Sequence, residues 1–317
     1  MKWLPAVLFL MLAPLQAGDY PWSDAVPAEI AAVSVTPDTV VDEIPCNWRP
    51  ALTPLVAPLV KDCATAREAV LAIAAGIGKV TGAYYSRERS KHNMNVLETL
   101  QEKKISCTGQ SILLVCALRS VGIPARAVGV HTWNHIEGNH TWAEAWFDGA
   151  WHMIEMGERE FNTPWVMEYI GMLNPRHPFQ RILAASPQGN TTWWPRDFAS
   201  KEGFANFPAE DVTERYMQLS RSWYATAGIP ENTQRILIDL QPRPENAPVV
   251  ELVNEYGKVI DSGQLPTTRD DMRYMTRLLL PRTGRHFLRM AGTDIKLPIA
   301  PTSPPVRLLS LKSSPLK

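Results

Sequence analysis

Three residues near the middle of the chain have the types and spacing of a thiol centre: Cys107, His140 and Glu155. A cysteine attacks as its thiolate, so it needs a base to take the proton, and the base needs a carboxylate to orient its ring. Cys107 lies where a helix is predicted to begin, and the free N–H groups and positive dipole end there favour a thiolate. The chemistry that this set predicts is nucleophilic attack on a carbonyl carbon.

The helix that must position Cys107 is the clearest element in the sequence, ISCTGQSILLVCALRSVGIP over residues 105–124. Its body is apolar, Gly122 suits the position after the last turn, and Pro124 prevents continuation. Cys116 comes nine residues after Cys107, and at ~3.6 residues per turn it faces the opposite side of the helix. Helix position alone fits Cys107 equally well as a buried packing residue. We predict core packing for Cys116.

The base and the carboxylate are placed by a predicted β-hairpin around Asp148-Gly149, a strong signal for a two-residue turn. In that register His140 and Glu155 lie on one face and are diagonal to each other, within reach for long side chains. Glu158 falls on the opposite face. A bulge or a longer turn would reverse the assignment, so Glu158 stays the alternative acid.

The remaining sequence predicts five parts. An apolar run after Lys2 is typical of a secretory signal and is too short to span a bilayer. Short strand-like runs separated by Gly and Pro in the last third are typical of a small β-sandwich. The predicted parts are a signal peptide (1–17), an N-terminal arm (18–63), a catalytic domain (64–207), the β-sandwich (208–298) and a flexible tail (299–317).

Composition argues against several functional classes. Lys plus Arg and Asp plus Glu both total 32, which gives a formal net charge of zero and no sign of nucleic-acid or anionic-membrane binding. The histidines at 131, 135, 140 and 152 lack the spacing of a zinc motif, so we expect no metal and no cofactor. If Cys107 stays free, a Cys46–Cys63 disulfide is reasonable; the alternative is that all four thiols are reduced.

The motifs around these residues resemble the transglutaminase-like superfamily. The resemblance rests on Cys107-Thr-Gly, the GIPAR segment ending at Arg126, the HTWAE segment beginning at His140, and Trp151 with a carboxylate four residues later. It covers about Ala64–Glu155. It implies an α+β fold with a papain/transglutaminase-like catalytic core, with Cys107 as nucleophile, His140 as base and Glu155 where the family usually has Asp or Asn.

The resemblance implies a thiol-dependent acyl-transfer enzyme acting on peptide amide bonds. Hydrolysis as a cysteine protease or amidase is the simpler expectation, and a cross-linking transglutaminase is the alternative. A catalytically silent module that binds a peptide or glycan is the rival from another class. The expected partner is a peptide or protein substrate, met in the periplasm or outside the cell. Trp133 and Trp142 are candidates to line the cleft, while Arg126 is expected to form a structural ion pair.

Overall fold

The computed structural model describes residues 20–133, 138–189, 191–194, 205–267, 275–293 and 296–312, with 191–194 and 205–206 described in their backbone only. The predicted signal segment therefore lies outside the described residues. The chain is a mixed α/β protein that divides into two compact units. The first unit takes residues up to His131, then Asn139–Thr163 and Ile182–Asp211; the second takes Thr132–Gly138, Pro164–Arg181 and Val212 onwards. The two units thus alternate along the sequence. The linear domain boundary at residue 208 stays a prediction.

The first unit contains five α-helices and eight strands among the described residues. The helices are α1 (Ala28–Ser34), α2 (Arg49–Val60), α3 (Ala66–Thr81), α4 (Val96–Glu102) and α5 (Cys107–Ser120). The strands are β1 (Tyr84–Tyr85), β2 (Lys104–Ile105), β3 (Ala125–Val130), β4 (His140–Phe147), β5 (Ala150–Ile154), β6 (Ile182–Ala185), β7 (Thr191–Trp194) and β8 (Ala205–Asp211). The last six form one sheet in the order β5-β4-β3-β6-β8-β7, and β1 pairs with β2 in parallel.

Local sequence signals explain why the helices begin and end where they do. A capping box begins α3, with the Thr65 hydroxyl accepting from the Glu68 N–H at 3.2 Å and the Glu68 carboxylate accepting from the Thr65 N–H at 3.1 Å. At the end of α5, Gly122 has a φ of 77°, which a residue with a side chain rarely adopts. The Ile123 N–H donates to the Leu118 carbonyl at 3.1 Å, which closes the last turn.

Helix α5 is buried almost all round, as its apolar sequence predicts. It shares one hydrophobic cluster with α2, α3 and one face of the sheet. On β3 and β4 that face is built from small residues that pair across the strands, Ala125 with Ala145 and Ala127 with Ala143. Small side chains let a helix lie close to a sheet at the packing density of a protein interior. The first turn of α5 is thereby brought to the end of the sheet where β4 begins.

The second unit contains helices α6 (Pro164–Gly171) and α7 (Thr213–Thr226) and two sheets. One sheet has the order β11-β10-β13-β14 and the other β12-β9-β15. Side chains of both sheets meet in one buried cluster. The strands are β9 (Thr233–Gln241), β10 (Val249–Asn254), β11 (Val259–Gln264), β12 (Thr276–Pro281), β13 (His286–Met290), β14 (Leu297–Ile299) and β15 (Val306–Lys312).

A buried ion-pair cluster links α6 to the β12-β9-β15 sheet of this unit. The Glu168 carboxylate is fully buried and accepts from Arg235 at 2.8 Å and from Arg277 at 2.8 Å. Both partners are guanidiniums that stay charged at every working pH. A buried carboxylate held between two permanent charges has a structural function, because neither partner can exchange a proton with it.

Three segments are more regular than their sequence patterns indicate. The N-terminal arm is largely helical, since α2 buries Leu52 and Val56 while its prolines at 50, 54 and 58 face outward. Residues 159–207 lie within the predicted catalytic domain and include α6 and β6, two short apolar runs whose burial masks any period. The tail was expected to be flexible, yet β15 pairs in parallel with β9 and its first residue, Val306, is buried. The four cysteines are unbridged, so the Cys46–Cys63 disulfide is absent.

Candidate active site

The N-terminus of α5 is fixed by the residue before the nucleophile candidate. Ser106 caps the helix, its hydroxyl accepting from the Gly109 N–H at 2.9 Å and donating to the His92 carbonyl at 2.7 Å. Cys107 is consequently the first residue of the helix, where unpaired N–H groups gather. The side chain is partly exposed, as a nucleophile must be.

Gly109 is the third residue of the CTG motif, and its surroundings leave no room for a side chain. A Cβ atom at this position would lie 2.9 Å from the Cβ of Ile105, closer than two carbon atoms approach without displacement. The first turn of α5 packs directly on the strand that precedes it. The glycine therefore permits the close approach that presents Cys107 at the helix end.

The β4–β5 hairpin has the predicted two-residue turn. Asp148 and Gly149 have φ values of 50° and 75°, and Phe147 pairs with Ala150. Positive φ at both central residues matches the twist of the flanking strands. The predicted register is confirmed, and it continues without a bulge to the Ala143 and Ile154 pair at the end of the ladder.

His140 and Glu155 meet at the end of this hairpin. The imidazole Nε2 lies 2.7 Å from Glu155 Oε1, and the two side chains are only 9% and 8% exposed. A short hydrogen bond to a carboxylate fixes the plane of the ring and makes Nε2 the donor. This leaves Nδ1 to face the Cys107 thiol, to which the imidazole is also hydrogen-bonded. The structure thus brings Cys107, His140 and Glu155 together.

The pKa values of the sulfur and the imidazole shift in opposite directions. Burial by itself raises the pKa of Cys107, but the hydrogen bond and charge of His140 outweigh it, helped by the backbone N–H groups of Thr141 and Thr108, and the net pKa is below its ordinary value. Burial by itself lowers the pKa of His140, but its bonds to Cys107 and Glu155 and their charges raise it to about 9. Each group therefore favours the charged form of the other, thiolate for Cys107 and imidazolium for His140.

The second thiol of α5 lies in a different environment. Cys116 is buried in the hydrophobic cluster. Burial raises its pKa, and the nearby charge of Arg119 only partly offsets the effect. Its predicted place in the core is confirmed.

The two tryptophans that the sequence offers as cleft residues both lie in buried positions. Trp142 is buried, and its ring is tilted against the His140 imidazole with 5.9 Å between centroids. Trp133 is buried in the second unit and packs against Trp165 and Tyr169. Their expected place in substrate binding stays a prediction.

Arg126 forms the structural ion pair that the sequence favours. Its guanidinium donates to Glu144 at 3.0 Å and to Glu210 at 2.8 Å, and it lies 4.2 Å above the ring of Trp151. Both of its carboxylate partners belong to the same six-stranded sheet. Glu158 follows the hairpin in a turn, where its N–H donates to the Glu155 carbonyl at 3.2 Å.

Sequence reasoning missed one contact at this site. The hydroxyls of Thr108 and Thr141 lie 3.1 Å apart in a buried position. Each threonine directly follows one of the two reacting residues, Cys107 and His140. The repeated order of a reactive residue and a threonine was the available signal.

In the described part of the chain, no group of three or more His, Cys, Asp or Glu side chains is arranged to hold a metal ion. Within the same residues, no helix has both the length and the apolar character needed to cross a bilayer. His135, one of the histidines weighed above, lies outside the described residues.

Comparison with known proteins supports the predicted family resemblance. Residues 53–156 match the model of the transglutaminase-like superfamily, less than half of the 317 residues. No curated protein matches the chain at a significant level.

Several solved structures are similar to this chain. A protein of Cytophaga hutchinsonii proposed to be a cysteine protease matches at 17% identity with a TM-score of 0.36, covering 45% of this chain and 48% of its own. Red sea bream transglutaminase matches at 13% identity and a TM-score of 0.38, over 89% of this chain and 66% of its own. A further transglutaminase matches at 14% identity and a TM-score of 0.28, over 54% of this chain and 45% of its own. This chain thus spans less than two thirds of the length of each.

Proposed function

We propose that this protein is a thiol-dependent acyl-transfer enzyme acting on peptide amide bonds, with hydrolysis as its reaction. The observation that carries the proposal is the approach of three groups, Cys107 on α5, His140 on β4 and Glu155 just after β5, with His140 bonded both to the Cys107 thiol and to Glu155. The match of residues 53–156 to a superfamily of cysteine-dependent enzymes supports the same class of chemistry.

In the proposed mechanism the Cys107 thiolate attacks the carbonyl carbon of a peptide amide. The C–N bond breaks as the His140 imidazolium gives its Nδ1 proton to the departing amine, which leaves a thioester on Cys107. Water then attacks the thioester, with His140 taking its proton, and the acid product leaves as the thiol is restored. Backbone N–H groups at the start of α5 are the candidates to stabilise the oxyanion.

Glu155 has an orienting function in this mechanism. Its hydrogen bond to Nε2 holds the imidazole in the tautomer that keeps Nδ1 towards the sulfur, and its charge stabilises the imidazolium. A glutamate reaches His140 here because β5 ends just before it, which leaves the longer side chain free to turn towards the ring. We infer that the longer acid preserves the function of the shorter residues usual in this superfamily.

Amine transfer is the second candidate, because residues 53–156 match a superfamily named for that reaction. Here a primary amine, rather than water, attacks the thioester. We also propose that the two sheets of the second unit form a small β-sandwich, and that the protein is exported through the signal predicted at residues 1–17.

The proposal is tested in two steps. Cys107 is first labelled with iodoacetamide and its rate compared with that of a model thiol; the expected result is faster labelling that depends on His140. A panel of peptide amides is then offered with and without a primary amine, and the products distinguish hydrolysis from transfer. Labelling no faster than the model thiol, and unchanged in His140→Ala, would favour the silent binding module.

A further inference from the structure

The contact between Thr108 and Thr141 joins the element that carries the thiol to the element that carries the base. Thr108 is the second residue of α5, and Thr141 is the second residue of β4. Their hydroxyl oxygens lie 3.1 Å apart, one hydroxyl donating to the other, and both residues are buried. A hydrogen bond at this distance restricts how α5 and β4 can shift relative to each other.

We propose that Thr108 and Thr141 are a positioning pair that holds Cys107 and His140 at their working separation. Neither hydroxyl is assigned to touch the substrate. The inference rests on the proposed function, since it gives the pair a purpose only if Cys107 is the nucleophile and His140 its base.

The backbone of the same two threonines supports the proposal. The backbone N–H groups of Thr141 and Thr108 both act on the Cys107 sulfur and lower the pKa of the thiol. Each threonine therefore acts on the sulfur through its backbone N–H group and contacts the other threonine through its hydroxyl. If β4 moved along α5, the Thr141 N–H and the His140 imidazole would both leave the sulfur, because the two residues are adjacent in one strand.

Packing around the pair explains why a directional contact is needed. Thr141 lies on the face of β4 that also carries Ala143 and Ala145, which pack in the same cluster as α5. Apolar packing between a helix and small side chains is non-directional and resists a small slide only weakly. The hydroxyl contact adds a directional restraint at the reactive end of that interface.

The experiment measures the pH profile of Cys107 labelling by iodoacetamide in Thr108→Val, Thr141→Val and the double variant. Valine keeps the branched shape and removes the hydroxyl. The pKa of Cys107 is expected to rise by about half to one unit in each variant, with labelling below that pKa slowed about threefold to tenfold. The double variant is expected to match the single ones, because all three remove the same contact. Thr→Ser substitution, which keeps the hydroxyl, is expected to preserve the parent profile.

Thr99→Val is the matched control. The Thr99 hydroxyl is buried and has no hydrogen-bond partner among the described residues, so its loss should leave the profile unchanged. If a valine variant does not fold, the alanine variant at that position takes its place in the same comparison.

The outcomes separate the two proposals. A parent Cys107 that labels like a model thiol overturns the proposed function and this inference with it. A reactive parent whose profile is unmoved by the Thr108 and Thr141 substitutions overturns this inference alone. A shift as large in Thr99→Val, or one that serine does not reverse, also overturns it, since the effect would then come from general loosening.

Discussion

Cys107 and Cys116 belong to the same helix, nine residues apart, and they differ in every property that governs thiol chemistry. Cys107 is partly exposed at the helix start, bonded to an imidazole and to backbone N–H groups, and its pKa is lowered. Cys116 is surrounded by apolar side chains, and burial raises its pKa. The comparison shows that one helix shifts the pKa values of two thiols in opposite directions, because its first turn leaves N–H donors free while its middle has none.

Removing each thiol in turn is expected to give the largest difference between Cys107 and Cys116. Cys107→Ala is expected to abolish amide hydrolysis, since loss of a nucleophile can cost on the order of 10⁶-fold in kcat. Cys116→Ala is expected to keep kcat per folded molecule and to lower the free energy of unfolding by about 1 kcal/mol, because it leaves a small cavity. Turnover and denaturant unfolding of the two variants provide the measurement. Equal loss of turnover in both variants would contradict the contrast between Cys107 and Cys116.

The acid can be tested by a second matched pair. Glu155→Gln is expected to lower kcat by up to ~10⁴-fold, because an amide stabilises imidazolium less well and can fix the wrong tautomer. Glu158→Gln is expected to have little effect, since the observed hairpin register places Glu155, not Glu158, at His140. Glu155→Asp is expected to keep partial activity. The measurement is the pH–rate profile of each variant beside the parent. A large loss of kcat in Glu158→Gln would indicate a different hairpin register in solution.

The pH dependence of labelling sharpens the contrast between the thiols. A lowered pKa means that the Cys107 thiolate persists as pH falls below the ordinary range, whereas the raised pKa of Cys116 keeps that thiol protonated. Iodoacetamide is therefore expected to modify Cys107 more than about tenfold faster than Cys116 at neutral pH, as read by mass mapping.

The pH dependence of turnover tests the function of His140 as the base and acid. The pKa of His140 is raised to about 9, so turnover should fall as pH rises through that value and the imidazolium loses the proton it must give to the leaving amine. A rate that stays flat well above pH 9 would remove His140 from the acid step.

The smallest expected effects come from the caps of α5. Ser106→Ala removes the N-cap and is expected to cost about 1 kcal/mol of stability and also to slow Cys107 labelling several-fold. Gly122→Ala forces a side chain into positive φ at the other end, with a similar cost of about 1 kcal/mol. Labelling in Gly122→Ala should match the parent. If both variants slow labelling equally, the effect is a loss of stability rather than a change at the helix start.

The sequence predicts the site better than it predicts the surrounding fold. Helix α5 and the β4–β5 hairpin follow from short, local signals, namely the start at Ser106, the stop at Gly122 and the turn at Asp148-Gly149. The approach of His140 to Glu155 follows from strand alternation alone. These elements are predictable because their geometry is set within a few residues.

The elements that the sequence failed to predict are stabilised by distant partners. Helix α7 buries Tyr216 and Ser220 but few other side chains, so it lacks a clear apolar period. Strand β15 has Val306 buried after a Pro-rich stretch, and its pairing with β9 depends on residues about seventy positions earlier in the chain. The Thr108–Thr141 contact joins residues 33 positions apart, and its one signal in the sequence is that a threonine follows each reacting residue.

The Asp148-Gly149 turn also limits how the length of this chain can change during evolution. Because faces alternate along β4 and β5, inserting or deleting one residue in the turn would carry Glu155 to the face away from His140. Point substitutions outside the site leave that alignment intact, so amino-acid identity here can drift more freely than length. Within the hairpin, a lineage that retains activity is expected to gain or lose residues in steps that restore the face.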